Sequence, residues 1–296
     1  MNPPRWKIRT RLQVWTAGVA GVVLCAVVGW GYFAGREAAI RDTRERALFV
    51  AESAAAVLDG YLLRQQGTVE GLAAALIAHG ELPDFSRVRE IQNATLLEDA
   101  EIFGVCVALD RGVGVPDGWP GRSPYVFREK NGRIGFRDLS GNGTAHETED
   151  WFRLVKERGA PVWTAPYWWD GVLMVTYSHP LWLPGESGRR FAGVVTCDLT
   201  LDWLDEKMRS LPVGADGYGL LMDRTGLYVS HPVREMVLSK TVFDIARERG
   251  SAGLEELGKR MVGGKRGVEE HTAFLNGKRG WVAYLPLDSA DWIFAA

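Results

Sequence analysis

Several chemistries are missing from this chain. It has five histidines and three cysteines in 296 residues, and neither type recurs at metal-ligand spacing or interleaves with the other. There is no Gly-x-Ser-x-Gly elbow, no phosphate-binding glycine loop and no His-Glu-x-x-His. A catalytic set, a metal site and a resident cofactor are therefore not expected, and this segment does not read as an enzyme. A formal net charge of −2, with no basic stripe in the soluble part, excludes a nucleic-acid partner. The length allows about two domains at ~150 residues each.

One long uncharged run is present. Leu12 to Ala34 carries no charged residue, a run long enough for a helix across ~30 Å of hydrocarbon. Arg5, Lys7, Arg9 and Arg11 precede it without an acid among them, while Arg36, Glu37, Arg41 and Asp42 nearly cancel after it. The positive-inside bias places residues 1–11 in the cytoplasm and everything after residue 34 outside the membrane. A cleaved signal peptide is the rival reading. The run exceeds a ~7–15 residue signal core, and Leu24 stands where a lipoprotein site before Cys25 wants a small residue, so an uncleaved anchor is expected.

Residues 35–80 lack proline and repeat apolar positions every three or four (Ala47, Val50, Ala54, Leu58, Leu62), which predicts one long stalk helix weakened in the middle by Gly60, Gly67 and Gly71. Such a helix suits a signalling stalk or the seam of a homodimer; a helix lying against its own domain is the other reading, and both can hold at different heights along it. Asp84 to Glu98 reads as a short helix and Ile102 to Leu109 as a buried strand. A repeat follows: Phe103-Gly-Val-Cys-Val-Ala-Leu-Asp-Arg-Gly resembles Tyr218-Gly-Leu-Leu-Met-Asp-Arg-Thr-Gly. Asn131-Gly132 and Asn276-Gly277 look like hairpin turns in the later part of each copy, and the copies close on Phe191 to Thr196 and Trp292 to Ala295. The second copy includes a helical stretch from Val242 to Met261. The fold class is α+β: an N-terminal transmembrane helix, a stalk helix and two tandem modules, each around an antiparallel sheet, at residues 81–205 and 206–296.

The richest stretch is Trp151 to Asp198, with five of the twelve tryptophans. A helix from Trp151 to Arg158 leads into extended segments broken by Pro161, Pro166 and Pro180. Each ring taken singly reads as core; the cluster as a whole reads as the wall of a pocket.

Trp151-Phe152, Pro166-Tyr167, Met174-Val-Thr-Tyr-Ser-His-Pro180, Gly193-Val-Val-Thr-Cys-Asp198, Gly217-Tyr-Gly, His231-Pro232 and Gly280-Trp281 together resemble a bacterial double Cache sensor domain, two PAS-like modules outside the membrane. Trp163 to Asp198 and Thr241 to Gly267 look most like the sensor halves that precede stress-response and sporulation-type protein serine/threonine phosphatases. Similar halves precede histidine kinases, cyclases and chemoreceptors. The resemblance implies a ligand in the membrane-distal module (81–205), relayed to a cytoplasmic output beyond Ala296, with the final strand of the proximal module (206–296) cut short. A membrane-anchored solute-binding ectodomain without output is the alternative. The amino-acid-binding subgroup carries an arginine where Glu149 stands, a tyrosine where Phe152 stands and an aspartate where Trp169 stands. Losing the guanidinium fork removes the grip on a carboxylate. The expected ligand is therefore an amine or another cation, held by Trp151, Phe152, Trp163, Tyr167, Trp169, Asp170, Tyr177 and Asp198.

Asp138 to Glu149 has calcium-loop spacing, but Arg133 to Arg137 does not read as an entering helix and Ala145 replaces the larger apolar anchor. It reads as a polar loop before the Trp151 helix. Cys106 and Cys197 fall in neighbouring strands of the resembled fold; two buried free thiols are expected, since directly paired strands give poor bridge geometry.

Overall fold

A computed structural model describes residues 8–141, 145–185, 188–214, 217–272 and 277–296. The chain divides into two compact units, residues 1–49 and 50–296. Helix α1 (Ile8–Leu76) runs through both. Within the first unit, the uncharged run is solvent-facing along almost its whole length, with Val22, Trp30 and Phe33 among its exposed side chains. It supplies the one helix, among the described residues, long and apolar enough to cross a membrane.

In the second unit α1 is followed by α2 (Phe85–Glu98), β1 (Gly104–Leu109), β2 (Pro124–Arg128), β3 (Ile134–Asp138), α3 (Asp150–Arg158), β4 (Val162–Trp163), β5 (Tyr167–Trp169), β6 (Val172–Gly185) and β7 (Gly188–Thr200). These strands form an antiparallel sheet in the order β3-β2-β1-β7-β6-β4, with β5 also on β6. Then come α4 (Leu201–Ser210), β8 (Leu220–Asp223), β9 (Tyr228–Ser230), α5 (Val242–Glu248), α6 (Ala252–Val262), β10 (Gly267–Thr272), β11 (Arg279–Pro286) and β12 (Trp292–Ala295). They make a second sheet, β10-β11-β12-β8-β9. The α+β tandem of sheets after an apolar helix is the fold expected from the sequence.

Local sequence explains most boundaries. The Asp84 side chain accepts from Arg87 N and caps α2; Thr241 and Asp244 form a reciprocal capping box on α5. The hairpin of β2 and β3 turns at Gly132, φ +80°. Asn276 lies outside the described residues, as do Asn142, Gly143 and Thr144 of the calcium-like loop. Asp138 spends its carboxylate on Ser123 N (2.9 Å) and the Ser140 hydroxyl (2.5 Å).

Three expectations change. The stretch from Val242 to Met261 is two helices, because Gly250 takes φ +59° and Ser251 caps a new start. Pro180 does not break its strand: it sits inside β6 opposite Val194. β4 ends opposite Ser178, so at Pro180 β6 has a partner on one side only and the missing N–H disrupts no ladder. The glycines do not interrupt α1 either. Ala51, Ala54, Leu58, Leu62, Gln65, Val69, Leu72 and Leu76 form one buried stripe, and this packing outweighs ~1 kcal/mol per glycine.

Polar contacts fix the helix to both sheets. Arg64 and Gln65 reach Asp99 at 2.9 and 3.1 Å, Tyr177 donates to Glu70 at 3.2 Å, and Asp59 accepts from Ser289 N at 2.9 Å. Leu62 is fully buried while its neighbour Leu63 is 51% exposed. Leu62→Ala should therefore cost about 2–5 kcal/mol in denaturant unfolding, and Leu63→Ala under about 0.5. Equal losses would contradict the packing described.

Candidate functional site

A cavity of about 270 Å³ opens on one face of the first sheet. Strand alternation decides which side chains reach it. On β7, Thr196 and Asp198 share the cavity face, while Cys197 turns to the other. β6 contributes Met174, β1 Cys106 and β2 Tyr125. Tyr167, Trp168 and Trp169 come from β5, and Trp151 and Glu149 from the start of α3.

Asp198 lies at the centre and is 4% exposed. Tyr125 Oη donates to its Oδ2 at 2.6 Å, and Thr176 Oγ1 donates to its Oδ1 at 2.6 Å. Tyr167 Oη sits 2.7 Å from Thr176 Oγ1; with the threonine proton spent on Asp198, the tyrosine is the donor. Tyr125 reaches Asp198 across β1, directly over Gly104, which pairs with Asp198 in the register. A Cβ at Gly104 would lie 2.1 Å from the phenol oxygen, so only glycine admits this crossing.

Burial pushes the Asp198 carboxyl up from 3.8 to about 6, against the hydrogen bonds from Thr176 and Tyr125 that favour its charge. No cation among the described residues contributes to this balance. A carboxylate has about four acceptor positions, and two are used. The site thus holds a buried anionic acceptor with spare capacity and no protein counter-charge. Burial and the Asp198 charge push Tyr125 and Tyr167 far up, so both remain neutral donors. Burial likewise raises the Cys106 thiol, which stays protonated and inert.

A second carboxylate, Glu149, stands exposed at the rim, at the N-cap of α3, where its side chain makes no capping bond. His146, buried below it, lies 2.9 Å through Nε2 from Leu109 O, and burial keeps it neutral.

Of the residues expected at the site, Trp151, Tyr167, Trp169 and Asp198 line this cavity. Phe152 is fully buried behind it, against Trp151 and Phe191. Asp170 turns away at φ +49° and pairs with Arg137 at 3.1 Å. Trp163 and Tyr177 are cross-strand partners on the opposite face, where Trp163 meets Trp292 of the second sheet at 5.6 Å. Arg137 already lies 5.1 Å over the Trp169 ring; Tyr125, Trp151, Tyr167, Trp168 and the His146 imidazole are the other lining rings. Thr176 and Tyr125 were not foreseen. The register Thr176↔Asp198 makes Thr176, not Tyr177, the residue beside the carboxylate. Cys106 and Cys197 are free and on opposite sheet faces, opposite Thr196 and Val105 respectively. No group of acids, histidines and cysteines fit to hold a metal occurs among the described residues.

Residues 89–206, which enclose the first sheet, match the methyl-accepting chemotaxis protein-like, first PDC sensor domain family. The chain is 31% identical over 110 residues to the methyl-accepting chemotaxis protein McpA of Pseudomonas putida; the match spans 36% of this chain and 17% of that much longer relative. Among solved structures, the extracellular domain of the histidine kinase mmHK1S-Z3 superposes with TM-score 0.67 at 20% identity, covering 88% of this chain and 92% of that one. The ligand-binding domain of the Pseudomonas aeruginosa amino acid chemoreceptor PctB, solved with L-Arg, gives TM-score 0.60 at 18% identity, covering 86% and 87%. The fold is that of Cache/PAS-like extracytoplasmic sensor domains of chemoreceptors and histidine kinases. None of these relatives is a phosphatase, so the link to phosphatase sensor halves finds no support among them.

Two predictions follow from the carboxylate. Its pKa is higher folded than unfolded, so its contribution favours folding below about pH 4 and is lost as pH rises through about 6. At pH 7 the buried charge costs up to ~3 kcal/mol. Asp198→Asn should therefore raise the melting temperature of the ligand-free protein at pH 7, with the gain shrinking towards pH 4.5; a loss equal at both pH values would contradict the assignment. Gly104→Ala should displace the Tyr125 phenol and remove its bond to Asp198, seen as loss of slow exchange of that hydroxyl proton by NMR. An unchanged signal would show that the crossing does not depend on glycine.

Proposed function

We propose that the chain is the extracytoplasmic ligand-sensing region of a bacterial transmembrane signalling receptor. In this reading residues 12–34 anchor it in the inner membrane with the N-terminus cytoplasmic. Residues 81–205 form the membrane-distal module that takes a small amine or other cation, and residues 206–296 form the proximal module. The observation that carries the ligand class is Asp198: a buried carboxylate without a counter-charge, in an aromatic cavity with a second carboxylate, Glu149, at its mouth. A cation repays the cost of that buried charge; an anion adds to it.

The likeness to PctB supports a small nitrogenous ligand, since that protein was solved with L-Arg. Glu149 and Asp198 favour the amine end of such a molecule over its carboxylate. For the output, likeness to chemoreceptors and histidine kinases supports one of those two types over a phosphatase. Ligand preference for one cavity geometry shifts a two-state equilibrium, and α1, bonded to both sheets and continuous with the apolar segment, is the element both states share. A coupling of ~1–3 kcal/mol suffices, and two copies joined along the stalk would deliver it to paired outputs.

A thermal-shift screen of the protein with quaternary amines, polyamines, basic and neutral amino acids and simple carboxylates tests the reading. Amines should raise the melting temperature, with ~2.7 kcal/mol of stabilisation at a hundredfold excess over Kd. Asp198→Asn should abolish the shift and Glu149→Gln weaken it. Stabilisation by carboxylates alone, or a shift retained in Asp198→Asn, would refute it.

A further inference from the structure

The second sheet carries its own cavity, of about 330 Å³, at the small end of the ~300–1,000 Å³ usual for ligand sites. It lies between β8, β9, β11 and β12 on one side and α5 and α6 on the other. Met222, Tyr228, Ile245, Leu257 and Met261, all buried, wall it together with Val282. Apolar side chains around a void of this size forgo dispersion contacts that an apolar guest restores and water does not.

One end differs in kind. Lys278 and Arg279, both exposed, line it beside His271, and no aspartate or glutamate side chain lines the cavity among the described residues. Arg279 Nε also meets Glu270 at 3.3 Å, but both side chains are more than half exposed, a pairing worth little and readily exchanged.

Comparing the two sheets sharpens the contrast. Each has a central antiparallel pair, β1 with β7 and β8 with β12. In the first, the pair ends on Gly104↔Asp198 and places a carboxylate in the cavity; in the second it ends on Leu220↔Ala295, and both residues line an apolar wall. The same architecture thus presents opposite charge preference in its two copies.

We propose that the second cavity is a separate binding site for a water-soluble amphipathic monoanion, with its apolar chain or ring between the sheet and α5–α6 and its carboxylate at Lys278 and Arg279. The inference does not depend on what the first cavity binds.

The test is calorimetric titration of octanoate, and of neutral 1-octanol, into the full chain in lipid nanodiscs, with empty nanodiscs subtracted. Octanoate should bind saturably with a negative heat-capacity change, and octanol at least roughly tenfold more weakly. The charge reversal Lys278→Glu with Arg279→Glu, at exposed positions, should raise the octanoate Kd roughly tenfold or more, and Val282→Phe should remove binding by filling the void. Asp198→Asn should leave octanoate binding unchanged. No saturable heat above empty nanodiscs, equal affinity for octanol, or loss of binding in Asp198→Asn but not in the charge reversal would each overturn the proposal.

Discussion

Asp198 occupies the middle of an antiparallel sheet with hydroxyl groups, not cations, around it. Tyr125 crosses one strand to reach it, Thr176 approaches from the other side, and Tyr167 supports Thr176. Burying a carboxylate this way is expensive unless it is hydrogen-bonded, and two bonds offset only part of the cost, as the upward shift of its pKa records. The rest of the cavity follows from keeping that charge: glycine at 104 so that the phenol can pass, and tyrosines that stay neutral. Such a site holds a buried carboxyl whose charge no cation among the described residues offsets.

The two sheets share a strand pattern but not a chemistry. α1 buries one stripe in the second unit; Glu70 accepts from Tyr177 of β6, Asp59 from Ser289 in the loop between β11 and β12, and Arg64 and Gln65 reach Asp99 at the end of α2. Between the sheets, Trp163 packs on Trp292 on the face away from the first cavity. The two sheets are thus connected through the tryptophan pair and through contacts of the helix.

Much of this fold was legible in the sequence because it rests on local rules. The apolar run, the proline-free helix, the Asp84 cap, the Asn131-Gly132 turn and the buried strand before Asp110 each announce themselves within a short window. What required the fold was register. Period-two alternation puts Thr176 and Tyr177 on opposite faces, and only the pairing Thr176↔Asp198 reveals which one meets the carboxylate. Tyr125 was hidden because β2 is five residues long and opens on a proline, a weak strand signal. Trp163 and Asp170 were credited to the pocket by proximity along the chain, yet a strand pairing and a left-handed turn direct them elsewhere. Trp151 lies on the buried face of the amphipathic α3, a pattern visible in sequence, whereas β7 is buried on both faces, so only its pairing shows that Asp198 and not Cys197 faces the cavity.

The most direct measurement is proton linkage on ligand binding. If a cation is held by ionised Asp198, titrating an amine ligand at pH 6 in buffers of different ionisation heat should release about half a proton per ligand bound, falling to nearly none at pH 8, because the free carboxyl is half protonated near its pKa of about 6. Amine binding with no proton release at pH 6, or with proton uptake, would contradict the account.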